Sequence, residues 1–365
     1  MEASLRERAR AEADQAARHQ AELEARRAVT GGNAVEDDAP FELVRVFFAT
    51  DRKAAGDGVY GGDRAAGLSY GSLYVSIPKG HEVGAIERPS IWRLEFHEDP
   101  RRHMVIVHRA VTDPDLFFSD IRATVARGGA DASFLFVHGY NVSFDDAARR
   151  TAQIAFDLRF PGAPVFYSWP SQAALHGYTI DENNVEWSQS NLKAFLVDYA
   201  ARSGAREITL IAHSMGNRAL LRAVTGVFTE HPELRGRFRE IILTAPDVDA
   251  DVFKRDIAPK LISGCEKVTL YVSAHDKALL ASRKVHGYPR LGDSESGITV
   301  LPGIETVDAS GLDTSFLEHS YFAESHSVLG DIRRLVREGL RAAQRGLVPV
   351  PVGDSAQGYW RVPVP

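Results

Sequence analysis

A run of apolar, β-prone residues, 208–212, stops abruptly at His213-Ser214-Met215-Gly216, and a helical pattern through Ala219, Leu220, Leu221 and Val224 begins at once. Strand, sharp turn and helix with a serine at the apex make an elbow. Such a turn lifts one hydroxyl off the end of a sheet, where a base can reach it. It also leaves the Met215 amide at a helix N-terminus, where a developing oxyanion would meet a donor. The strict pattern is Gly-x-Ser-x-Gly, and here Ala212 takes the first glycine's place. Small flanking residues are the physical requirement, because the tight turn brings backbones together, and alanine is the next smallest. The competing reading of Ser214 is a plain N-cap between strand and helix, which needs no chemistry.

The residues on either side suit such an elbow. Upstream, 133–137 and 165–168 are continuous apolar runs typical of buried parallel strands, with a helical pattern over 144–158 between them. A helix is expected over 182–201 and strands over 207–212, 240–244, 267–273 and within 298–307; an amphipathic helix over 326–345 closes the series. Strand–helix alternation predicts a mainly parallel sheet covered by helices on both faces. Ahead of it, 44–49, 73–77, 91–96 and 104–110 read as strands without intervening helices, joined in part by a Gly-rich stretch, 56–71, and therefore as an antiparallel N-terminal part of the sheet. A helix is expected over 113–126.

Residues 1–29, rich in Ala, Glu and Arg, read as a solvated helical extension, with self-association through it as the alternative; 30–40 read as a linker. The expected organisation is an extension and linker over 1–40, one catalytic domain over 41–346, and a Pro-rich extended tail over 347–365. The chain of 365 residues has a net charge of -6, which gives no reason to expect nucleic acid as a partner. It has no apolar run long enough to span a membrane and no secretory pattern at residues 1–29, so a cytoplasmic location is expected. The single Cys265 belongs to no Cys/His cluster; neither a disulfide nor a metal or other cofactor is expected.

A serine is a weak nucleophile and needs a base, which an acid must orient. On a fold of this kind the acid follows a strand beyond the elbow, and the base comes later. Asp276, after the strand 267–273, is the preferred acid; Asp247, after 240–244, is the alternative. His319, in a loop after the last strand, is the preferred base, with His326 in reserve. The buried run 134–137 ends in His138-Gly139-Tyr140-Asn141, where glycine lets the chain turn so that the Tyr140 amide can join that of Met215 as an oxyanion donor. His138 precedes the serine and reads as structural, and His213 as a packed neighbour. Tyr140, Phe144, Trp169, Tyr178 and Tyr321 fall near the same edge and are candidates to wall a substrate pocket, with a short lid over 169–181.

Several of these segments occur together and in order: Val137-His138-Gly139-Tyr140-Asn141, Phe166-Tyr167-Ser168-Trp169-Pro170-Ser171, Ala212-His213-Ser214-Met215-Gly216-Asn217, Ala245-Pro246-Asp247-Val248-Asp249, Ser273-Ala274-His275-Asp276-Lys277-Ala278 and His319-Ser320-Tyr321-Phe322. The set resembles the α/β-hydrolase family DUF900 over about residues 42 to 340, and Ala212 suits that family. The resemblance implies an α/β-hydrolase fold, Ser214, Asp276 and His319 as a triad, and Tyr140 and Met215 as oxyanion donors. The expected activity is that of a serine carboxylesterase on short or medium acyl substrates. An amidase, thioesterase or peptidase with the same triad, or a non-catalytic scaffold of the same fold, are the alternatives.

Overall fold

The structure, a computed structural model, describes Gln20 and residues 40–90, 95–295, 297–310, 325–353 and 357–363. The N-terminal extension, apart from Gln20, lies outside these, as does most of the expected strand 91–96, whose described residues Glu95 and Phe96 are in irregular structure.

The chain begins with a long hairpin, β1 (Phe41–Gly56) and β2 (Val59–Pro78), antiparallel throughout and closed at Asp57-Gly58. Most of the stretch expected as a Gly-rich connection is therefore strand. Next come β3 (Ile106–Thr112), α1 (Pro114–Gly128), β4 (Ala132–Val137), α2 (Phe144–Asp157) and β5 (Ala163–Ser168). The expected helix over 182–201 divides at Ser188 into α3 (Tyr178–Trp187) and α4 (Gln189–Arg202). Then follow β6 (Glu207–His213), α5 (Gly216–Glu230), β7 (Phe238–Thr244), a helical stretch ending in α6 (Ala258–Gly264), β8 (Lys267–Val272), α7 (Lys277–His286), β9 (Glu305–Asp308) and α8 (His326–Glu338). Gly339, in the left-handed region at φ 66°, stops α8 short of the expected Arg345.

One sheet holds the strands in the order β10-β11-β9-β8-β7-β6-β4-β5-β1-β2-β3, where β10 (Val348–Pro351) and β11 (Gly358–Arg361) come from the tail. The tail is extended as expected, yet it is paired: β10 and β11 form an antiparallel hairpin, and β11 runs parallel to β9. From β1 to β9 the pairings across the centre are parallel, while β1–β2–β3 form the expected antiparallel edge.

Every residue of β4, β5 and β8 is buried, so these strands are covered on both faces. Alternate side chains point to opposite layers. Phe47, Leu135 and Leu210 join Phe117 of α1, Phe195 of α4 and Leu220 of α5, whereas Phe48, Phe136 and Ile211 join Phe144 of α2 and Val328 of α8. Among the described residues no helix is long and apolar enough to cross a membrane.

Candidate active site

Ser214 sits between β6 and α5 with φ +51°, a left-handed backbone that costs a non-glycine residue about 1–2 kcal/mol. The neighbours hold it there. Its amide donates to Thr244 O at 3.0 Å, and its carbonyl accepts from the Asn217 amide at 3.1 Å, Asn217 Nδ2 at 3.0 Å and the Asp247 amide at 3.3 Å. The two small flanks are unequal. A Cβ on Gly216 would stand 2.3 Å from the His138 carbonyl oxygen, so only glycine fits. Ala212 is wholly buried in the core, where its methyl has room, and this accounts for the single departure from the elbow pattern.

Parallel pairing of Val137 with Ala212 brings the end of β4 beside the elbow. The loop that follows packs onto Ser214: a Cβ on Gly139 would lie 3.0 Å from both Ser214 Cβ and His213 Nδ1. Any side chain at 139 would press on Ser214. Asn141 completes the turn at φ +57°. Among the described residues neither the Tyr140 nor the Met215 amide has a hydrogen-bond acceptor, and no side chain caps α5. Both amides were expected as oxyanion donors from sequence.

His138 is wholly buried and stacks on Trp169, ring centroids 5.0 Å apart. Burial, then the Arg52 charge, lowers its pKa to about 3, so it is neutral and fits the structural role expected of it. Trp169 Nε1 donates to the His138 carbonyl at 2.8 Å. Trp169 and Phe144 were candidates for pocket walls; both are buried in the core instead. Phe144 packs edge-on against Phe48 at 5.0 Å and against Tyr60 at 4.6 Å.

Asp276 follows β8, two strands along the sheet from β6. It is buried and caps α7, its Oδ1 accepting from the Leu279 amide at 3.0 Å. His319 and Tyr321 lie outside the described residues. The chain approaches that segment through Ser310, whose Oγ accepts from the Ala274 amide at 2.8 Å, beside the Asp276 loop. The alternative acid, Asp247, is fully engaged elsewhere. Arg290 Nε contacts it at 2.7 Å, Arg218 Nη2 at 2.8 Å, Ser282 Oγ at 2.5 Å and Tyr178 Oη at 2.9 Å. Burial raises its carboxyl pKa, but the Arg218 and Arg290 charges outweigh burial and hold it well below the usual range. The reserve base, His326, is exposed at the start of α8 and lines a separate small cavity with Arg334 and Arg345.

A cavity of about 560 Å³ opens at the elbow, with Gly139, Tyr140, His213, Ala278, Phe136 and Leu175 among its walls. Tyr140 thus lines it. Tyr178 instead stands behind Tyr140, centroids 5.2 Å apart, with its hydroxyl turned to Asp247. Within 169–181, where a short lid was expected, Leu175–Gly177 forms a short turn, and Tyr140 Oη donates to the Ala174 carbonyl at 3.1 Å and to that of Leu175. Ile86 and Arg88 form a further wall, from a segment to which no role was given in sequence. Among the described residues no group of His, Cys, Asp and Glu could hold a metal.

A sheet of this order, a strained serine between strand and helix, and a glycine loop packed on that serine define an α/β hydrolase. The chain matches the family described as alpha/beta hydrolase of unknown function (DUF900) over residues 117–338, and it belongs to that family. No curated protein sequence matches it significantly. Similar solved structures include a "predicted CIB-like hydrolase" of Thermoplasma acidophilum, 12% identical, with a TM-score of 0.34 over 81% of this chain and 96% of that one. Carboxylesterase CesB of Bacillus subtilis is 10% identical, with a TM-score of 0.34 over 88% of this chain and 100% of that one. A lipase-esterase related protein of Clostridium acetobutylicum is 11% identical, with a TM-score of 0.32 over 58% and 96%. At these scores the three bear on neither the reaction nor its residues.

Proposed function

We propose that this protein is a serine hydrolase that cleaves esters through an acyl-enzyme. Ser214 attacks the carbonyl while His319 takes its proton and Asp276 orients the imidazole. The Tyr140 and Met215 amides receive the oxyanion, and water activated by His319 then releases the acid. The observation that carries this reading is the left-handed backbone of Ser214, φ +51°. Residues that merely cap helices in this chain are extended: Asp113 at φ -70°, ψ 161°, Ser143 at φ -73°, ψ 165°, and Ser325 at φ -87°, ψ 121°. A capping serine needs no strain, whereas a nucleophile lifted off a strand end does.

The cavity of about 560 Å³ and the short lid suit short or medium acyl groups rather than long lipid chains. Amides and thioesters could be served by the same groups.

A fluorophosphonate probe tests the assignment. The wild type should be labelled. In Ser214→Ala labelling should vanish, and hydrolysis of p-nitrophenyl esters should fall by at least ~10³-fold. A well-folded wild type that takes no label overturns the reading. Label that survives Ser214→Ala overturns the choice of nucleophile. An active His319→Ala enzyme moves the base to His326.

A further inference from the structure

Arg52, on β1, is wholly buried. Its Nε donates to Ser168 Oγ at 2.8 Å; Nη1 donates to the Gly61 and Ser171 carbonyls, both at 2.9 Å; Nη2 donates to the Val142 carbonyl at 2.8 Å and faces His138 Nε2 at 3.4 Å. Four of the five N–H groups of the fork are accepted by oxygen atoms, the fifth faces His138 Nε2, and none meets a carboxylate. Burying a cation without an ion pair is costly. Burial lowers its pKa to about 10, so the charge persists at neutral pH. Its neighbours indicate what the charge is for: Val142 and His138 flank the oxyanion loop, and Ser171 lies in the connection that leads to the Leu175–Gly177 turn.

We propose that Arg52 is a positioning residue for the oxyanion hole, fixing through Ser168 and His138 the direction in which the Tyr140 amide points. The inference rests on Ser214 being the nucleophile. Its physical basis is that a guanidinium can only donate, so every atom that faces it must accept. His138 Nε2 faces the donor-only Arg52 Nη2 at 3.4 Å and so must accept, and Ser168 Oγ, itself accepting from Arg52 Nε, turns its hydrogen to the same nitrogen at 3.1 Å. Nε2 is then the bare nitrogen, and the ring proton sits on Nδ1. Nδ1 lies 2.8 Å from the Gly139 carbonyl, which can only accept. In a trans peptide the C=O and N–H point to opposite sides, and the described residues contain no cis bond. Drawing the Gly139 carbonyl back to the imidazole therefore turns the Tyr140 N–H away from it. The Nη2 bond to Val142 holds the far end of the same loop.

The decisive variants are Arg52→Lys, Arg52→Gln, His138→Phe and His138→Asn. Phe keeps the stack on Trp169 but removes the Nδ1 donor, whereas an Asn amide can replace that donor. If the loop is aimed as described, His138→Phe and Arg52→Gln should lower kcat by ~10²-fold, about the loss of one oxyanion donor. KM should stay within about threefold, since ground-state binding is untouched. Arg52→Lys and His138→Asn should recover much of the loss. A readout independent of activity is the imidazole ¹⁵N spectrum of the wild type, in which His138 should be the Nδ1–H tautomer. Wild-type His138 protonated on Nε2, or a folded His138→Phe enzyme with unchanged kcat, would overturn the proposal. If Arg52→Gln fails to fold, the spectrum and the His138 pair still decide. A wild type that takes no fluorophosphonate would instead count against the nucleophile, so the two readings fail separately.

Discussion

At Ser214 stability and chemistry pull apart. Its left-handed backbone is free for glycine but strained for any residue with a Cβ. Ser214→Gly and Ser214→Ala should both be inactive, yet the glycine variant should be the more stable of the two by about 1 kcal/mol in urea denaturation. Equal stabilities would mean that the turn stores no strain. The residues that read most clearly in the sequence were those whose role is local: the serine at a strand–helix junction, and the glycine of His138-Gly139. Arg52 did not, because a charged residue near the end of a β-run ordinarily faces water. Its acceptors come from positions 61, 138, 142, 168 and 171, which no spacing in the sequence connects. Phe144 and Trp169 failed as pocket walls for a related reason. Lying near the end of an element says nothing about which side of it faces the cavity.

Among the elements, the central parallel strands were legible because burial on both faces leaves unbroken apolar runs. The β1–β2 hairpin was not. Its glycines suggested a loop, but Gly71 is there for closeness: a Cβ would stand 2.1 Å from the Ala110 carbonyl oxygen and 2.6 Å from the Phe48 ring. The usable signal was Asp57-Gly58, a turn dipeptide with Gly58 at φ 66°. The segment that follows β2 and walls the cavity is clipped to α2 by His81. His81 Nε2 lies 3.0 Å from Asp157 Oδ1, and Nδ1 lies 2.9 Å from Glu87 Oε1. Burial alone would lower the histidine's pKa, but hydrogen bonds to Asp157 and Glu87 override burial and raise it to about 9. A raised folded-state value means that the clip contributes fully below the unfolded value of about 6.5 and is lost as pH rises through about 9. Hydrogen exchange over 79–90 should accelerate between pH 7 and pH 9.5 by more than the intrinsic rate does. In His81→Gln that excess should disappear.

For the whole molecule, the tail is part of the sheet. Trp360 packs on the same layer as α8, Val362 is buried, and β11 covers the edge of β9. A chain cut after Gly346 should keep fluorophosphonate labelling but lose thermal stability. It should also aggregate more readily, because the bare β9 edge is a template for further strands. Retention of the full-length melting temperature would show the hairpin to be dispensable. The order of the sheet also governs when the site can come into being. β1, first in the chain, pairs with β5, with Phe47 opposite Val165, and Asp276 comes from still farther along. During synthesis the initial hairpin emerges long before its inner neighbour exists. Its unpaired edge must wait, and contacts of such long sequence separation form slowly. The elements around Ser214 therefore come together only after β5 and the Asp276 loop have been made.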